Sequence, residues 1–233
     1  PGLMRALVEA SDAIRHFPAP ARNLLRLLGR LGVPKVGPLA EAAEFAYACF
    51  GAFDFRGIRL TLPTQTFEGR LSLRVGDREV ELSEVGPAHT KGDVLVWLPR
   101  ERVVFTGDIL FIGMHPIAWE GPIGNWIAAC DQLLELNPEV VVPGHGPVTD
   151  AEGGRETNRY WETILSAAKA GHAAGASPDE VARDLLARGL GSWTSEAEAH
   201  RLVVNIDTAY RDLTGDRTLR DPLPLFARMS KLE

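Results

Sequence analysis

Three short segments of this 233-residue chain pair a side chain able to bind metal or protons with glycine. They are Gly86-Pro87-Ala88-His89-Thr90-Lys91-Gly92-Asp93, Phe105-Thr106-Gly107-Asp108 and Val142-Pro143-Gly144-His145-Gly146-Pro147. Imidazole and carboxylate are the donors that a first-row divalent ion such as zinc accepts. Glycine lets the backbone bend sharply at a strand end and pass close to a ligand. Two histidines and an aspartate displayed in this way predict a preorganised site made of His89, Asp108 and His145. Singly, each segment is ambiguous, because Gly-Asp is also a common turn in which the aspartate caps the backbone. Their combination, each after strand-forming residues, points to chemistry.

The elements that must hold these residues can be read around them. Leu71, Leu73 and Val75 alternate with polar residues, Gly76-Asp77 turns the chain, and Val80 and Leu82 resume the alternation, which predicts a β-hairpin. Residues 93–98 and 102–105 predict two further strands joined by a tight turn at Pro99-Arg100-Glu101. A helix marked by Trp126, Cys130 and Leu133 ends before Pro138, and Val140 to Val142 form a short buried strand. Helices follow through Tyr160, Ile164 and Ala168, then from a capping box at Ser177-Pro178-Asp179-Glu180 through Val181 and Leu185, and last through Leu202, Val203, Ile206 and Tyr210. Residues 1–50 read as helical, with Leu3, Leu7 and Ile14 on one face. Leu24, Leu28 and Leu31 form a stripe expected to be packed under a solvated face bearing Arg22, Arg26 and Arg30. The domain plan is a helical segment over 1–52, a metal-binding portion over 53–150 and a helical tail over 151–233 packing on the same domain. Central strands flanked by helices give an α/β (α+β) class.

Composition narrows the function. The net charge of −6 argues against a nucleic-acid grip. No apolar run is long enough for a membrane span, and no signal-peptide pattern opens the chain. Cys49 and Cys130 lie in apolar, helix-like stretches and are expected as buried free thiols, which fits a cytoplasmic setting.

The three segments, in this order, resemble the metallo-β-lactamase-fold superfamily. His89 in AHTKGD matches its third motif, Asp108 in FTGD its bridging aspartate and His145 in PGHG its last histidine. The resemblance covers roughly residues 55–150 and, more loosely, the helical tail. It implies an αββα sandwich of two similar halves with the site on strand-ending loops. It also implies a dinuclear zinc site, with iron or manganese as other possible metals. His89 would serve the first ion, Asp108 would bridge and His145 would serve the second. The implied reaction is hydroxide attack on an ester, thioester or lactam-type carbonyl of a small acyl substrate. The stretches ELSEVGPAHTKGDVLVWLP, VVFTGDILFIG and VVPGHGPVTD look like a bacterial branch similar to zinc-dependent cyclases and thioesterases of aromatic polyketide pathways. A mono-iron sulfur dioxygenase of the same fold, a cyclase-like enzyme and a non-catalytic binding module are the competing readings. A homodimer is possible; neither a nucleic acid nor a membrane is expected as a partner.

One departure from the family pattern matters. No His-x-His-x-Asp-His cluster occurs in these residues, and the chain opens on Pro1 rather than methionine. The chain is therefore expected to hold mainly the C-terminal half of the sandwich, and to be inactive by itself. His115, in Gly113-Met114-His115-Pro116, is expected on the loop lining the site mouth in a catalytic or supporting role. Trp119 and Trp126 are candidates for the cavity wall, and Thr90 and Asp93 for fixing the turn after His89. His16, His172 and His200 are assigned no role.

Overall fold

The structure is a computed structural model. It describes residues 19–31, 36–37, 40, 47–48, 52–53, 59, 61–190, 193, 198–218, 222–229 and 231–232. Leu3, Leu7, Ile14, His16 and Cys49 lie outside the described residues. Two compact units are distinguished: Thr66–Thr218, and Pro1–Gln65 together with Leu219–Glu233.

The smaller unit contains helix α1 (Ala19–Arg30) and the last helix of the chain (Pro222–Met229). Leu28 is half-buried but Leu24 and Leu31 are both exposed, so the stripe expected of the three is not packed along its length. Leu27, one turn along the same surface, is exposed too.

In the larger unit a five-stranded sheet runs in chain order: β1 (Arg70–Val75), β2 (Arg78–Glu84), β3 (Val94–Leu98), β4 (Val103–Phe111) and β5 (Val140–His145). The first four are antiparallel neighbours. The hairpin forms as the alternation requires: Val75 pairs with Arg78 across the two-residue turn, and Gly76 supplies its left-handed backbone (φ +63°). Between β4 and β5 stands α2 (Ile123–Glu135), so the last two strands are parallel. A parallel neighbour needs such a crossover.

Helices α3 (Ala151–Ala173), α4 (Pro178–Arg188) and α5 (Arg201–Thr214) complete the unit. Asp150 caps α3 by accepting from the Glu152 amide (2.8 Å), and Ser177 with Glu180 closes the expected capping box on α4. The core sits between sheet and helices, where Leu95, Val104, Val141, Trp126, Trp161 and Ile164 are buried. Cys130 is a buried free thiol in this core, and burial pushes its pKa up.

On the opposite face of the sheet, register aligns Leu71, Leu82, Val96, Phe105 and Val142 in one row, with Leu73 beside Val80 and Val103 beside Val140. This face is apolar yet open, with Phe105 43% and Val75 62% exposed.

Candidate metal centre

His89, Asp108 and His145 come together at one end of the sheet. Each arrives by a different device. His89 stands on the turn after β2. Asp93 braces that turn from within: its carboxylate accepts from the Ala88 amide (3.1 Å), the Thr90 amide (3.0 Å) and the Thr90 hydroxyl (2.7 Å). The pairing of Thr90 and Asp93 anticipated from the sequence is thus a hydrogen-bonded clasp.

Asp108 lies inside β4. The sequence predicts a strand ending near Phe105, but β4 continues to Phe111 because β5 runs alongside and the Ile112 amide donates to the His145 carbonyl (2.9 Å). The register slips on either side of Gly107, whose φ of +50° turns the strand locally. His145 ends β5. The absence of a side chain at Gly144 is a steric requirement, since a Cβ there would stand 2.3 Å from Asp108 Oδ1 and 2.6 Å from the Gly107 carbonyl oxygen.

The Asp108 carboxylate is shared. Oδ2 is 3.4 Å from His89 Nε2, and Oδ1 is 3.4 Å from His145 Nε2. His89 Nδ1 lies 2.7 Å from the Ile117 carbonyl oxygen. A carbonyl only accepts, so in the neutral ring the proton is on Nδ1 and the Nε2 lone pair faces the carboxylate. Two acceptors opposed in this way invite a cation. Ligands on a tetrahedral zinc with bonds near 2 Å stand about 3.3 Å apart, so each histidine–aspartate pair is spaced as two corners of a zinc shell. Among the described residues, no group of three or more His, Cys, Asp or Glu side chains is arranged to hold one ion. Zinc fits the donor types and spacing of two pairs sharing one aspartate.

Aromatic rings hold the imidazoles. Phe111 stacks on His145, and Trp126 meets His89 edge-on with centroids 5.9 Å apart. Trp126 is wholly buried and donates its indole N–H to the Ile109 carbonyl (2.8 Å). It is a core residue that also braces the His89 ring. Trp119 is half-buried. His172 is exposed on α3 and meets the Tyr210 ring, while His200 precedes α5.

His115 is placed differently from the expected mouth of the site. Its ring is buried, with Nδ1 3.2 Å from the Tyr160 hydroxyl. Burial lowers its pKa to about 4, opposed by Glu198 and reinforced by Arg201 and His200. The Tyr160 hydroxyl accepts from Asn205 Nδ2 (2.9 Å), leaving its own proton for His115.

The sequence reading missed Phe111, the Ile117 carbonyl and Asn205. The available signal for Asn205 was an amide set between Val204 and Ile206 in an apolar helical run.

The family model of the metallo-beta-lactamase superfamily matches residues 21–145, more than half of the chain. The chain belongs to the metallo-β-lactamase superfamily. It accordingly has that superfamily's mixed α/β fold. The chain is 33% identical over 84 residues to the 2,4-dinitroanisole O-demethylase subunit alpha of Nocardioides sp. (strain JS1661), a match over 35% of this chain and 26% of the relative. It is 27% identical over 86 residues to an acyl-coenzyme A thioesterase of Gallus gallus, over 34% of this chain and 30% of the relative. A metallo-beta-lactamase family protein from Thermus thermophilus is similar with a TM-score of 0.49 and 18% identity, over 70% of this chain and 53% of that one. The chain therefore spans well under two thirds of each.

Proposed function

We propose that this chain contributes His89, Asp108 and His145 to a zinc-dependent hydrolase site that cleaves an ester, thioester or lactam-type acyl bond. The observation that carries the reading is the shared Asp108 carboxylate, with a histidine Nε2 at 3.4 Å from each of its oxygens. Membership of the superfamily and the likeness to a thioesterase support the reaction class.

His89, Asp108 and His145 would hold the metal, with the Asp108 carboxylate between the two imidazoles. Zinc bound at such donors would supply Lewis acidity, lowering the pKa of a water toward ~7 and polarising an acyl carbonyl. The residues of the chain do the rest. Ile117 keeps the His89 proton on Nδ1, so that Nε2 stays free to ligate. Asp108 and His145 side chains are 39% and 46% exposed, which leaves the site open to a small acyl compound on one side. Phe111 and Trp126 close its inner side to water. His115, buried against Tyr160, acts as a support of the loop it stands on, in the neutral form, rather than as a group that exchanges protons with substrate.

No helix among the described residues is long and apolar enough to cross a membrane.

The test is hydrolysis of p-nitrophenyl acetate and of an acyl-coenzyme A by the natural full-length protein, before and after chelator dialysis, with elemental analysis. Activity that disappears with zinc and returns on its readdition supports the reading. Undiminished turnover in metal-free protein overturns it, and stoichiometric iron in place of zinc would redirect it to oxygen chemistry.

A further inference from the structure

Helix α5 presents Arg201, Asn205, Thr208 and Asp212 at helical spacing, and all four reach one stretch far away in sequence, the loop after β4 and the first residue of α2. Arg201 donates to the His115 carbonyl (2.6 Å), and the Thr208 hydroxyl donates to the Ala118 carbonyl (2.7 Å). Asp212 Oδ2 accepts from the Ile123 amide (2.8 Å). Asn205 makes the tightest connection. Its Nδ2 donates to the Pro116 carbonyl (2.9 Å), and its Oδ1 accepts from the Ala118 amide (2.8 Å). One side-chain amide thus clamps the backbone on both sides of Ile117, and its remaining N–H goes to Tyr160 (2.9 Å). The Ile117 carbonyl, between the two clamped positions, is the acceptor for His89 Nδ1. Asn205 is fully buried, with every amide group in use.

We infer that Asn205 is a positioning residue for His89: it fixes the Ile117 carbonyl, and through it the tautomer and aim of the His89 imidazole. The clamp explains why an amide occupies a buried place among Leu202, Val203, Val204 and Ile206. Leucine there would leave the Pro116 carbonyl and Ala118 amide without these partners, and the loop would relax to find others. Partners that orient a ligating histidine govern metal affinity as well as ring geometry.

The inference rests on the proposed zinc reading only for its affinity arm, and the tautomer arm is independent of metal. Long-range nitrogen–proton spectra of histidine-labelled, metal-free protein, at one fixed pH above the histidine range, report which His89 nitrogen carries the proton. Zinc titration calorimetry reports affinity. Wild type should hold the His89 proton on Nδ1. Asn205→Leu should populate the Nε2–H form and weaken zinc binding roughly 10- to 100-fold. Asn205→Ser, whose single hydroxyl cannot span both backbone groups, should do the same and serves if the leucine variant does not fold. Leu202→Ala, on the buried apolar side of the same helix, controls for loss of stability alone. It should lower Tm yet leave tautomer and affinity unchanged. The inference is overturned if both Asn205 variants keep His89 protonated on Nδ1 with wild-type zinc affinity, or if Leu202→Ala shifts them equally. A wild type that binds no zinc at all refutes the proposed function instead, and the tautomer arm then decides Asn205 by itself.

Discussion

Phe111 lies against His145 as a stacked pair, ring centroids 4.4 Å apart and planes 17° from parallel. The same ring stands 5.8 Å from the His89 ring, and the Arg201 guanidinium sits over it at 5.9 Å. One buried phenyl group therefore meets both histidines. Phe111→Ala should cost about 3–5 kcal/mol of stability. Phe111→Leu, nearer in volume, should cost less than half of that yet still lower zinc affinity about tenfold, because a flat restraint on His145 is lost. Paired thermal melts and zinc titrations check both. Leucine with wild-type affinity would show that the stack only fills space.

Asp108→Ala should separate chemistry from folding. The side chain is partly exposed and faces the two histidines, so stability should change by about 1 kcal/mol or less. Metal content and hydrolysis should both collapse. Elemental analysis and turnover of the purified variant decide; retained zinc with retained rate would remove Asp108 from the site.

Gly144→Ala tests packing between β4 and β5. The added methyl would meet Asp108 Oδ1 at 2.3 Å and the Gly107 carbonyl oxygen at 2.6 Å. The carboxylate can swing away, but the backbone oxygen must be displaced with its strand. A loss of about 1–3 kcal/mol is expected, together with weaker zinc binding. Alanine at Gly124, where a Cβ would meet nothing within 4 Å, should be tolerated sterically. Equal stabilities for the two variants would contradict this account.

His115 gives a pH signature. Its folded pKa, about 4, lies below the ordinary 6.5, so the fold favours the neutral ring. The associated stability is present above pH 6.5 and is lost as pH falls through the window toward 4. His115→Gln keeps a polar partner for Tyr160 but does not titrate. Across that window wild type should lose a few degrees more Tm than the variant. Parallel melting curves would refute the assignment.

The open apolar face of the sheet predicts self-association. Leu73 and Val75 on β1 are both exposed, at the sheet edge, where a strand is ready to pair with another chain. The double variant Leu73→Lys, Val75→Lys should shift sedimentation of the 233-residue chain toward monomer with little change in Tm. An unchanged association state would place the contact elsewhere.

Much of this architecture is legible in the sequence because its causes are local. Gly76 between alternating strands supplies the positive φ that a two-residue hairpin turn needs, and Ser177 with Glu180 caps a helix from within its own first turn. The donor types of His89, Asp108 and His145, and the glycines beside them, are likewise local facts. Tertiary structure decided what depends on distant partners. β4 runs on through Asp108 to Phe111 because β5 lies parallel to it, a pairing set by the α2 crossover. His115 looks like a residue of the site mouth from its nearness to Asp108, yet Tyr160, 45 residues further along the chain, draws its ring into the core. Asn205 and Thr208 interrupt an apolar helical run, and the partners that explain them are remote. Their carbonyl and amide partners stand 87 to 90 residues away, and periodicity carries no information about which backbone groups a fold will leave to be satisfied at that range.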